Sequence, residues 1–308
     1  MKKDKILTII VPTYNMEKYL RKCLDSLIVS EANLDLLEVL VINDGSKDTS
    51  SAIGHEYEDT YPRTFRVIDK DNGNYGSCVN CGLAETTGKY VKILDADDYL
   101  DTEVFNRYLS FLKESDADMV LTDYNEVNVK GKVTKKHVIP YPNQQTLLIK
   151  DYIDNYFVEH LQMHAVTYRV SLLKKYNYTQ TEGVSYTDQE WVFIPVTYMD
   201  RFCHFQGMLY QYLVGREGQT IDVSISSKQV DTRFNLIYKR IEIFKQEKDL
   251  GRLSNEKIKF LKGRLIFTIF ELYRNSLIKD EIPVGKICEF DERIKKLSNY
   301  IYYEVSVS

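Results

Sequence analysis

Short, almost wholly apolar runs alternate with amphipathic stretches through the first hundred residues. Residues 6–11, 37–42, 65–68 and 90–94 read as strands of the kind buried on both faces. Between them, residues 17–29, 49–58 and 77–86 carry apolar side chains at helical spacing, as in Tyr19, Leu20, Cys23, Leu24 and Leu27. Strand and helix in alternation predict an α/β fold, with a parallel sheet covered by helices. Loops that follow the strands of such a sheet gather along one edge. Residues 12–15, 43–46, 72–76 and 95–98 are therefore expected to converge.

The pattern changes after residue 100. A helix is expected over 102–113, a strand over 119–122, and a hairpin over 125–139 turning at Lys130-Gly131-Lys132. Helix 150–160, strand 165–169 and a short helix at 171–175 follow. A helix over 186–199 is interrupted by Pro195, and 201–205 with 208–213 read as a second hairpin. From residue 228 the pattern is helical, over 229–247, 254–278 and 284–300, with no internal repeat or low-complexity tract.

A chain of 308 residues with 44% hydrophobic content supports one large domain, or a domain and a subdomain. A net charge of -4 and a pI near 5.8 leave no basic footprint for nucleic acid. The five cysteines, at 23, 78, 81, 203 and 288, are odd in number and follow no framework. They are expected to be reduced thiols of a cytoplasmic protein. Cys78 and Cys81 form a lone C-x-x-C, without a second pair for zinc. No run reaches the ~20 apolar residues that span a bilayer, and residues 6–11 are too short for a signal peptide. The expectation is a soluble protein, or one held peripherally at the inner face of a membrane. Twenty-four tyrosines are a high count, compatible with sugar-binding surfaces or with composition alone.

The first candidate chemistry lies at Asp95, Asp97 and Asp98, three carboxylates within four residues at the end of a strand. Crowded carboxylates repel one another, and a hard divalent cation such as Mg²⁺ or Mn²⁺ relieves them while sharing a diphosphate. A solvated acidic turn that caps the next helix through Asp101 or Thr102 is the competing account. Neither a dinucleotide-binding fingerprint nor a P-loop is present. His160 and His164 have zinc-ligand spacing on a helix, but no third ligand accompanies them. A substrate contact at His164 is the other option.

Taken in order, several motifs together resemble the family 2 glycosyltransferases of bacterial type, which have the GT-A fold. They are Ile10-Val11-Pro12-Thr13-Tyr14-Asn15, Val41-Ile42-Asn43-Asp44-Gly45-Ser46, Asn72-Gly73 with Asn80-x-Gly82, Gly88-Lys89-Tyr90 and Leu94-Asp95-Ala96-Asp97-Asp98. The resemblance is strong over residues 5–125 and weaker over 150–220. It implies a Rossmann-like, mainly parallel central sheet flanked by helices, with a C-terminal helical extension. Residues 1–225 would form the catalytic domain, with 1–100 its nucleotide-binding half and 101–225 its acceptor half. Residues 226–308 would form a helical subdomain.

The implied activity is an inverting, metal-dependent transfer of a hexose from a UDP-sugar to a saccharide hydroxyl, in surface-polysaccharide or glycan assembly. A saccharide or lipid-linked glycan is the acceptor, and Mn²⁺ or Mg²⁺ the cofactor. On the donor side the resemblance places Pro12, Tyr14, Asn15, Asp44, Asn72, Gly73, Asp95, Ala96 and Arg216. Tyr14 would pack on the base and Asp44 would read the uracil edge, although an Asx-turn role for Asp44 stays open. Asp97 would be the metal ligand, with Asp95 reaching the ribose or the metal, and Asp98 is close enough in sequence to exchange roles with Asp97.

Thr187-Asp188-Gln189-Glu190-Trp191 looks like the family's base-bearing stretch, with Thr187 where a Glu is usual and Asp188 as the base. Trp191 is either a floor for the acceptor or core. Arg216 is either a phosphate contact or a surface ion pair, and Lys70, before the Gly loop, reads as a solvated surface lysine with a donor contact as the other option. In the tail, Phe260, Leu261, Leu265, Ile266, Ile269, Phe270 and Tyr273 make an apolar stripe suited to packing, to an oligomer contact or to a membrane surface. A nucleotidyltransferase would need a Gly-rich basic signature after the first strand, which is absent. A catalytically inactive nucleotide-sugar-binding or scaffold protein of the same fold is the alternative from another class.

Overall fold

The computed structural model describes residues 4–152, 161–184, 187–216, 227–279 and 282–307. It resolves into two compact units. The first comprises residues 1–147, 162–187 and 201–217, and the second residues 148–161, 188–200 and 218–308.

Among the described residues, the first unit is built on a ten-stranded sheet. Its strands are β1 (Leu7–Thr13), β2 (Leu37–Asn43), β3 (Phe65–Asp69), β4 (Tyr90–Ile93), β5 (Tyr99–Leu100), β6 (Met119–Asn128), β7 (Val133–His137), β8 (Thr146–Leu148), β9 (Val166–Arg169) and β10 (Arg201–Val214). The main path runs β3-β2-β1-β4-β9-β6-β10-β5, with β7 on β6 and β8 on β10. From β3 to β4 all pairs are parallel. Beyond β4, β9 is antiparallel to both neighbours, and β6 and β10 run parallel. All seven residues of β1 are buried, as expected of a central strand covered on both faces.

Helices Ser50–Thr60 and Asn74–Glu85 connect the parallel strands, and Thr102–Glu114 follows β5. The last of these starts where its sequence says it should. Asp101 caps it by accepting from Val104 N–H at 3.0 Å, and Phe105, Tyr108, Leu109 and Leu112 bury one face.

Several local expectations need correction. The helix expected over 17–29 is confined to Leu20–Asp25, with a separate turn at Glu31–Leu34. The hairpin expected over 201–213 is one continuous strand, β10, parallel to β6. Gln206-Gly207 does not turn the chain. It is absorbed as a bulge, where a Cβ on residue 207 would lie 2.8 Å from Val104 and the Gly207 N–H donates to Asp123 at 3.0 Å.

The second unit packs helices Ser227–Asp249, Asn255–Lys279, Val284–Leu297 and Asn299–Ser306 with the short helices Asp188–Trp191 and Ile194–Tyr198. The single helix expected over 284–300 breaks at Ser298, an extended residue whose hydroxyl caps the next helix through Ile301 N–H at 3.2 Å. The helix expected over 186–199 is likewise two pieces, with Pro195 in the first turn of the second, and Tyr186 lies outside the described residues. Most of the helix expected over 150–160 lies outside them too, Ile149–Tyr152 being the described part. The apolar stripe packs inside this unit through Phe260, Leu261, Leu265 and Ile269, leaving Phe270 exposed. Among the described residues no helix is long and apolar enough to cross a membrane.

Candidate active site

In the first unit the loops after β1, β2 and β3 meet through specific hydrogen bonds. Asn15, at φ 54°, donates its N–H to Ser46 Oγ at 3.0 Å and accepts from Lys47 N–H at 2.8 Å. Asp44 N–H donates to the Thr13 carbonyl at 2.9 Å, which continues the β1–β2 ladder past Pro12. Tyr14, held between these bonds, keeps 46% of its surface exposed, a free aromatic face beside the loops.

The Asp44 carboxylate is almost fully buried and gathers three donors. Lys70 Nζ (2.7 Å) and Gly73 N–H (2.9 Å) reach Oδ1, and Asn74 N–H (2.9 Å) reaches Oδ2. Asn72 Nδ2 donates to the Asp44 carbonyl at 3.0 Å. A carboxylate offers about four lone-pair sites, so this arrangement leaves room for about one more N–H donor. Asp44 thus has a structural task whatever else it does. Lys70 is no solvated surface lysine, since its ammonium also binds Ser77 Oγ at 2.8 Å. The loop is held from its far side as well. Gly183 N–H donates to the Gly73 carbonyl at 2.9 Å, and Gly76 packs so closely under Thr181 that a Cβ would overlap its carbonyl.

Beyond β4, Leu94 N–H donates to the Ile10 carbonyl at 2.9 Å and delivers the chain to the carboxylates. Asp95 Oδ1 accepts from Tyr75 Oη at 2.7 Å. Asp98 is 1% exposed. Its Oδ2 accepts from Tyr210 Oη at 2.6 Å and its Oδ1 from Leu213 N–H at 2.7 Å, so the bulged strand β10 supplies both donors. Burial pushes the Asp98 carboxyl well above the usual carboxylate range, and the Asp97 and Asp95 charges push it further. Asp97 pairs with Arg216, Nε to Oδ2 at 2.5 Å, and the guanidinium stands 5.4 Å over the Tyr19 ring. Ala96 is buried between them.

His164, in a 3₁₀ turn at Met163–Ala165 just before β9, joins this group. Ligand atoms of Asp95, Asp98 and His164 all lie within 4.8 Å of one another. Burial pulls His164 down to about 3, with the Lys92 and His137 charges adding to the effect, so the imidazole is neutral. Its Nδ1 is buried and has no hydrogen-bond partner among the described residues. Two carboxylate oxygens and one nitrogen of a neutral imidazole form a donor set that fits a divalent cation. Asp97 stands outside that trio. His160 lies outside the described residues.

Asp188 belongs to the second unit, at the start of helix Asp188–Trp191. Gln189 Nε2 lies 3.3 Å from Asp188 Oδ2, and Gln189 Oε1 accepts from Arg264 Nη2 at 3.1 Å. Glu190, fully buried, pairs with Lys239 at 2.9 Å. Burial pulls Arg240 down to about 10. The Arg264 charge acts the same way, and those of Glu190 and Asp188 oppose it. Trp191 is fully buried and serves as core. The Gly215–Arg216 end of the expected mobile loop is described, and residues 217–220 are not.

Three participants escaped the sequence reading. Tyr75 and Tyr210 hold the carboxylates from a helix and from a strand far along the chain. Lys92, wholly buried in β4, donates to the His164 carbonyl at 2.7 Å and to that of Val166 at 3.2 Å. A lysine inside an otherwise apolar run was the available signal for the last.

The profile described as Glycosyl transferase family 2 matches residues 8–177. Glycosyltransferase GlyA of Streptococcus pneumoniae is 33% identical over 136 residues, 44% of this chain and 19% of that protein. The poly(ribitol-phosphate) beta-glucosyltransferase of Bacillus spizizenii is 27% identical over 222 residues, 71% of this chain and 34% of that one. The matched stretch spans about a third or less of the curated relatives' length. In fold, the chain is similar to residues 1–349 of Staphylococcus aureus TarS, crystallised in complex with UDP-GlcNAc. That likeness has a TM-score of 0.72 at 18% identity, covering 95% of this chain and 80% of that one.

Proposed function

Because this chain belongs to the family 2 glycosyltransferases, with the GT-A fold, we propose that it transfers a hexose from a UDP-sugar to a saccharide hydroxyl, by an inverting and metal-dependent route. Surface-polysaccharide or glycan assembly is the setting, with a saccharide or lipid-linked glycan as acceptor. The TarS and poly(ribitol-phosphate) relatives favour that setting. Residues 1–225 are assigned the catalytic role in this proposal, and 226–308 a supporting one.

The observation that carries the proposal is the meeting of an exposed Tyr14, a cradled Asp44 and the Asp95–Asp98 carboxylates on loops of one sheet. Tyr14 offers a face for the base. The remaining acceptor site of Asp44 suits the imide N–H of uracil, and a base without that N–H would leave a buried acceptor unpaired. Asp95, Asp97 and Asp98 belong to the metal and diphosphate side. A divalent cation bound there supplies Lewis-acid stabilisation of the leaving diphosphate. Arg216, beside Asp97, has a guanidinium suited to phosphate. Asp188 takes the acceptor's proton as general base.

UDP release, measured with purified protein and Mn²⁺ across a panel of UDP-sugars, tests the proposal. Release from one donor that stops with EDTA is the expected result. No release from any donor, together with no UDP binding, would overturn it.

A further inference from the structure

We propose that His164 is a nitrogen ligand of the divalent cation held at Asp95 and Asp98, and that it tilts the site toward Mn²⁺ over Mg²⁺. This rests on the metal-dependent reading above.

Asp95, Asp98 and a ring nitrogen of His164 come from two loops far apart in sequence, yet their ligand atoms lie within 4.8 Å of one another. Bonds of about 2.1 Å to a shared ion place ligand pairs up to about 4.2 Å apart, so a small side-chain adjustment closes the set. The imidazole is held in place by what surrounds it. Tyr212 stacks on the ring at 4.3 Å, Tyr210 stands at 4.8 Å and Tyr124 at 5.3 Å. Its main chain is anchored by Lys92, whose buried ammonium donates to the His164 carbonyl at 2.7 Å.

A ring packed this closely, with a buried nitrogen that meets no donor or acceptor among the described residues, is unfavourable unless something else fills the place. The neighbouring carboxylates say what that is. Two anionic oxygens beside a nitrogen lone pair attract a cation. The zinc spacing with His160 is not needed for this, because the partners of His164 are the two aspartates after β4. The chemistry also bears on which cation. Mg²⁺ prefers an all-oxygen shell and keeps its waters, whereas an imidazole nitrogen strengthens binding of a first-row transition ion.

Pulsed electron paramagnetic resonance of the full chain with Mn²⁺ and UDP tests this without reference to turnover. The wild-type spectrum should carry modulation from a directly bound ¹⁴N, replaced by the ¹⁵N pattern in protein grown on ¹⁵N-histidine. His164→Gln should abolish the modulation while Mn²⁺ still binds. In competition titrations, the same variant should lower the preference for Mn²⁺ over Mg²⁺ on the order of tenfold or more. Mn²⁺ bound to wild type with no nitrogen modulation would overturn the inference and leave the metal reading standing, and modulation that persists in His164→Gln would overturn it equally. Failure of Mn²⁺ to bind wild type, with or without UDP, would overturn both. The wild-type and isotope spectra hold even if the variant folds poorly.

Discussion

Asp95, Asp97 and Asp98 crowd one loop of the first unit, and Asp188 and Glu190 share one turn of the second. Glu190 is fully buried with Lys239 at 2.9 Å, and Arg240 and Arg264 lie within reach of the same turn. The chain supplies the cations there. Asp98 is just as buried, but its partners are a tyrosine hydroxyl and a backbone N–H, both neutral, and its neighbours are two more carboxylates. Arg216 is engaged with Asp97, and Lys92 turns its ammonium to backbone carbonyls. Buried charge must be paired somewhere. Where the chain does the pairing, the acids are fixed structure. Where it leaves repulsion in place, the proposed function has the acids receive a cation that arrives with substrate.

The largest effect is expected at Asp188, the proposed base, which comes from the neutralised group. Asp188→Asn should lower kcat by about 10²- to 10⁴-fold while UDP affinity holds, as steady-state rates and calorimetry would show. An equal loss of UDP binding would move Asp188 out of the catalytic role. Next comes the cost of unpairing. Lys239→Met removes the cation paired with the buried Glu190 at 2.9 Å, and should destabilise the protein by roughly 3 kcal/mol in urea unfolding. A change below about 1 kcal/mol would show that these charges are solvated.

On the other side, Mn²⁺ with UDP should stabilise the wild type by about 2.7 kcal/mol at a hundredfold excess over Kd, seen as a rise in Tm. Asp95→Asn should remove most of that rise. Asp98→Asn should change metal-free stability by about 1 kcal/mol or less, or improve it. The amide oxygen can still accept from Leu213, the amide nitrogen can donate to a reoriented Tyr210 hydroxyl, and the repulsion is gone.

The smallest effect concerns acids paired at the surface. His55 sits 2.9 Å from Asp69 and 2.7 Å from Glu58, which hold its pKa above the ordinary value. The folded state then binds the proton more tightly than the unfolded chain. That stabilisation is complete below the unfolded value of about 6.5 and is lost as pH rises through the folded one. His55→Gln should therefore lower Tm slightly near about pH 5.5 and less near about pH 9. An effect that grows with pH would reverse the assignment.

Much of this was legible in the sequence, and for identifiable reasons. The buried strands β1, β2 and β4 are apolar runs with little else they could be, and the loops after them carry the residues that meet around Asp44 and Asp95. The hairpin expected at 201–213 failed because Gly207 resembles a turn residue, and nothing local says that its N–H is taken by Asp123 in a bulge. Lys70 was misjudged for the same kind of reason, its partner Asp44 being 26 residues away. Tyr75 and Tyr210 were out of reach because each joins the carboxylates from a different element, and the spacing that singles out His164 points to His160 rather than to the aspartates it meets. Lys92 stood in plain view within an otherwise apolar strand.

The most direct test of the account is a calorimetric titration of UDP into the purified protein, with and without Mn²⁺. UDP binding should tighten markedly with Mn²⁺ and lose that gain in Asp95→Asn. UDP binding that Mn²⁺ leaves unchanged, or no binding in either condition, would contradict it.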